Sequence, residues 1–186
     1  MAIFALVLTV MPALAGTPAG AATTFTITEN SDAADADITD ARCDTDPDAS
    51  GKRCTLRAAI QEANDTAGAN TIDFDIGTSG TGAKTISPGS ELPAITKQVT
   101  IDGYTQPGAS PNTLAEGDNA VLNVQLDGSN VGTKAAGLKI ETSDFTIEGL
   151  VIQRFGREGD LIPGTDATGN RIEDKFSKNK PVPYNP

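Results

Sequence analysis

Aspartates crowd the stretch from residue 32 to 48: Asp32, Asp35, Asp37, Asp40, Asp44, Asp46 and Asp48. Asp44, Asp46 and Asp48 stand at alternate positions, a spacing that can present carboxylates to Ca²⁺, which takes oxygen ligands only. An EF-hand loop would also need Gly at its sixth and Glu at its twelfth position. Those positions hold Ala49 and Thr55, so the stretch is not an EF-hand. Two readings stay open: a looser Ca²⁺ site at Asp44, Asp46 and Asp48, or an acidic loop that water solvates. No cofactor is required by any motif, and Ca²⁺ is the one ion the residues suggest.

A second group with chemical potential is Asp102, Asp127 and Glu148, each followed by glycine, with Arg154 and Arg157 downstream. Paired carboxylates at a set separation serve glycoside hydrolysis, and Ca²⁺ with a basic group serves proton abstraction. The plainer reading, favoured by their recurrence, is that these acids solvate corners of a repeat. On that reading the chain has no catalytic residue. Cys43 and Cys54 are the two cysteines, and in an exported chain pairing is the default. Closing so short a loop stabilises by about 3 kcal/mol in the chain-entropy model. Two cysteines and no histidine make a structural zinc site a poor fit.

The elements that would carry these residues can be read in outline. Thr55 is suited to cap a helix, since its hydroxyl can accept from a first-turn N–H. Leu56, Ala59, Ile60 and Ala63 then form one apolar stripe, with Arg57, Gln61 and Glu62 facing away. The spacing predicts a helix over 55–64, too short to be stable alone. Phe25–Thr28 alternates as a first strand. Thr71–Gly77, Gln98–Gly103, Val121–Gly128 and Phe145–Gly149 alternate likewise. Ile76, Ile101, Leu126 and Ile147 step by 25, 25 and 21 residues, a period that suits a β-solenoid with these four in one interior row. Leu138, Ile140, Phe145, Ile147, Leu150 and Ile152 are expected inside, and Lys139, Thr146 and Val151 outside. Only 4% of residues are aromatic, while 19 glycines and 11 prolines supply turns, a composition that fits a thin aliphatic core. The expected fold is mainly β: a right-handed parallel β-helix with an N-terminal capping helix. A β-sandwich is the alternative, because regularly spaced strands suit it too.

The run Cys54-Thr-Leu-Arg-Ala-Ala-Ile-Gln-Glu-Ala-Asn64 resembles the signature of the CSLREA-type domain. That family opens secreted, right-handed parallel β-helix proteins of the pectin-lyase-like kind, and the resemblance spans roughly Phe25 to Phe155. Where the family pairs Ser with a Glu three residues on, a capping box, this chain has Thr55 and Ala58. Loss of the returning half weakens the cap by about 0.5–1 kcal/mol. What the resemblance implies is continuation into further β-helix coils, and polysaccharide lyases and hydrolases exist among such proteins.

Residues 2–15 are almost wholly apolar and end in a small-x-small pattern, so residues 1–22 read as a signal peptide cleaved after Ala15 or Ala22. The run is too short for a comfortable membrane span. The chain then divides into an N-terminal cap (23–69), β-helix coils (70–174) and a polar tail (175–186). Net charge is −11, which opposes binding to nucleic acid or anionic membranes. The expected role is non-enzymatic: the capped segment of a secreted or cell-surface protein serving structure, adhesion or carbohydrate contact. The competing expectation is a polysaccharide lyase or glycoside hydrolase.

Overall fold

The computed structural model describes residues 20–77, 82–132, 134–156, 161–162 and 171–173. The signal-peptide reading falls almost entirely outside these residues, as do Arg157 and the tail from 175 to 186.

Among the described residues one α-helix, α1 (Leu56–Asp65), accompanies ten short strands. They are β1 (Thr24–Ile27), β2 (Asn70–Phe74), β3 (Lys84–Ile86), β4 (Val99–Asp102), β5 (Val124–Asp127), β6 (Leu138–Lys139), β7 (Thr146–Glu148), β8 (Leu150–Gln153), β9 (Leu161–Ile162) and β10 (Arg171–Glu173). Every strand ladder is parallel. One sheet runs β1-β2-β4-β7-β10, a second β3-β5-β8, and β6 pairs with β9.

This corrects the expected fold. The described residues form a small α/β arrangement of parallel sheets with one helix, and not a solenoid or β-helix. The β-sandwich alternative fails as well, because such sandwiches are built from antiparallel sheets. The proposed single row of Ile76, Ile101, Leu126 and Ile147 is also broken up. Ile101 pairs with Ile72 and Ile147 in the first sheet, whereas Leu126 lies between Ile86 and Ile152 in the second. Ile76 lies beyond the end of β2. Equal steps along the chain misled because connections of unequal length separate true neighbours.

Local alternation survives. Phe25, Ile27, Ile72, Phe74, Ile101 and Ile147 are buried, and the intervening residues of these strands point outward, since successive side chains face opposite ways. The six residues expected inside from Leu138 to Ile152 are buried too.

Thr55 caps α1, its hydroxyl accepting from Ala58 N at 3.1 Å. Leu56 and Ile60 are wholly enclosed, each worth about 1.5–3 kcal/mol of transfer free energy. At the other end the Lys97 ammonium donates to the Asp65 and Thr66 carbonyls, satisfying acceptors that a helix leaves open. Two of the acid–glycine corners have a local explanation. Asp102 Oδ1 accepts from Tyr104 N and Asp127 Oδ1 from Ser129 N, each starting a 3₁₀ turn, Gly103–Thr105 and Gly128–Asn130. A further polar device extends β2. The buried Gln106 amide accepts from Ile76 N at 2.9 Å and donates to Ile76 O at 3.2 Å, standing in for a strand neighbour.

Candidate functional site

The acidic stretch forms a strap across the helix. Arg57 grips Asp32, Thr55 Oγ1 donates to Ala33 O at 2.6 Å, and Asp35 N donates to Gln61 Oε1 at 3.0 Å. The strap then returns on itself: Asp44 N donates to Asp35 Oδ2, and Ala36 N to Asp44 O. Cys43 and Cys54 are joined by a disulfide, which fastens the returning chain to the residue before the helix cap. Both sulfur-bearing residues are buried.

Asp44 is turned to the backbone, its Oδ1 accepting from Asp46 N and Arg53 N. Asp46 and Asp48 are exposed. Among the described residues no three acidic, cysteine or histidine side chains group where a metal ion could be held.

The second set of acids is divided. Asp102 and Glu148 are direct neighbours across β4 and β7, with Asp73 of β2 on the far side of Asp102. Asp127 lies in the other sheet. It is buried, and Arg154 donates to it through Nε, at 2.7 Å, and through Nη2. The Arg154 guanidinium holds the Asp127 carboxyl below its ordinary value, against the upward push of burial. The three acids therefore do not form one group: Asp102 and Glu148 share a sheet and Asp127 lies in another.

The outer face of the five-stranded sheet carries two in-register rows. Thr24, Thr71, Thr100 and Thr146 make one; Thr26, Asp73, Asp102 and Glu148 make the other. Neighbours along each row stand about 4.8 Å apart, the spacing of paired strands. Burial, and then the Asp102 charge, raise the Asp73 carboxyl above its usual value. The face thus combines hydroxyls and carboxylates at a regular interval.

One residue was misjudged from the sequence. Glu62, expected on the solvent face of α1, is wholly enclosed, and neither carboxyl oxygen has a hydrogen-bond partner among the described residues. Burial first, then Asp35, Asp40, Asp65 and Asp37, push its pKa up to about 7. Arg57 is mostly covered as well, its side chain 13% exposed. The helical stripe located one buried face; it carried no sign that a distant segment covers the other.

Searches against family models, curated proteins and solved structures found no match to this chain. Among the described residues no helix is long and apolar enough to cross a membrane.

Proposed function

We propose that this chain is a non-enzymatic segment of an extracellular or cell-surface protein, serving structure, adhesion or carbohydrate contact. The observation that carries the reading is the Cys43–Cys54 disulfide, which binds the acidic strap to the helix start. Such bonds persist in oxidising surroundings outside the cytosol. The apolar leader and the resemblance of Cys54–Asn64 to the CSLREA-type domain support the same location. The hydroxyl and carboxylate rows of the outer sheet face offer hydrogen-bonding groups suited to carbohydrate hydroxyls.

The separation of Asp127 from Asp102 and Glu148 favours this role over polysaccharide cleavage, since Asp127 is committed to Arg154 and to a turn. The test is expression of the chain with its leader in a bacterial host, followed by fractionation and thiol labelling. Oxidised protein outside the cytoplasm is the expected result, and reduced protein retained within it would overturn the reading. Incubation with polygalacturonate, with and without Ca²⁺, should release no product. Product that disappears in Asp127→Asn would replace the scaffold reading with the enzyme.

A further inference from the structure

Glu62 is the most anomalous group in the described chain. An ionised carboxylate enclosed without partners is strongly disfavoured, so such a group either binds a proton or the structure around it opens. Its place decides which structure would open. Glu62 lies on α1 next to Gln61, whose Oε1 accepts from Asp35 N of the strap. Among the described residues the charges that bear on it are all negative: Asp35, Asp37 and Asp40 from the strap and Asp65 from α1 itself. Two cations that engage α1 are committed to other partners, Arg57 to Asp32 and Lys97 to the Asp65 and Thr66 carbonyls. From β2, the neutral Asn70 donates to the Ala63 and Thr66 carbonyls. Thr66 Oγ1 is likewise buried and without a partner among the described residues.

We propose that Glu62 is a proton-controlled latch: protonated, it lets the acidic strap close over α1; ionised, it loosens the strap. The neutral carboxyl removes both the desolvation cost and the repulsion from the strap aspartates. On ionisation the cheapest relief is for the covering segment to lift, because the opposite face of α1 is held by Leu56 and Ile60 in the core. The Cys43–Cys54 disulfide limits that motion, keeping the strap's returning end attached so that closure is reversible.

Amide hydrogen exchange on the full chain tests this, with rates at about pH 5.5 and about pH 8.5 corrected for intrinsic exchange. Protection in the strap and on α1 should fall about tenfold or more at the higher pH while β4 and β7 hold theirs. Glu62→Gln should remove the difference, and Glu62→Met, an apolar side chain of similar length, should do the same. A carbon-13 titration of the Glu62 carboxyl should place its midpoint near neutrality and coincide with the loss of protection. Equal protection at both pH values would overturn the latch. So would an undiminished pH effect in either variant, or a midpoint in the ordinary glutamate range.

Discussion

Arg57 holds Asp32 by two parallel bonds, Nε to Oδ1 and Nη2 to Oδ2, each 3.0 Å long. The same guanidinium donates to the carbonyls of Ser90 and Glu91. One side chain of α1 therefore joins the strap to the segment between β3 and β4. Arg57→Ala should lower stability by about 2 kcal/mol, because it leaves a partly buried Asp32 charge and two carbonyls short of a donor. Arg57→Lys should restore little of this, since an ammonium lacks the planar fork. Urea unfolding of the three proteins measures both effects.

The disulfide should contribute about 3 kcal/mol. Reduction, or replacement of Cys43 and Cys54 by serine, should lower the urea midpoint accordingly. Exchange should rise first in the strap, which loses its covalent return, and only later in the parallel sheets.

Glu62 sets the sign of the pH response near neutrality. Its pKa rises from 4.5 in the unfolded chain to about 7 in the folded one. Between these values the folded state holds the extra proton. Its stabilising share is therefore complete below the unfolded value and is lost as pH climbs through about 7. Thermal melts should fall across that window, by a stability difference of about 1–3 kcal/mol. Glu62→Gln should flatten the profile there.

Asp127 contributes with the opposite sign. Its carboxyl is lowered by the hydrogen bonds from Arg154, so its share of stability is present above the unfolded value of 3.8 and lost as pH falls through the folded one. Asp127→Asn should remove that acid-side loss, so that melts of the two proteins differ above about pH 4 and converge as the pH falls below it.

Gly149 should resist substitution. It has φ +70, and an added Cβ would lie 2.5 Å from Tyr104 N in the corner packed against it. Gly149→Ala should destabilise by roughly 2–3 kcal/mol through backbone strain and overpacking. Gly51→Ala, at φ +91 but with nothing near its Cβ, should show the strain alone, about 1 kcal/mol.

The helix and its cap were legible because they depend on neighbours a few residues away. Thr55, the stripe from Leu56 to Ala63 and the turn formers after Asn64 are a local pattern, and α1 follows it closely. Strand alternation was legible for the same reason: Phe25 and Ile27, or Ile101 and Val99, must share a face whatever they pair with. Pairing itself was not. Leu126 and Ile101 look alike in sequence yet occupy different sheets, because partnership depends on how the intervening loops run and pack. The acid–glycine corners were visible as a motif, but their work as 3₁₀ caps at Asp102 and Asp127 needed coordinates. Glu62 marks the sharpest division. An amphipathic helix announces the face that must be buried, since apolar residues leave water at a gain. It says nothing about a second face covered by a segment some thirty residues earlier in the chain, where burial follows from the path of the strap and not from the side chain's own preference.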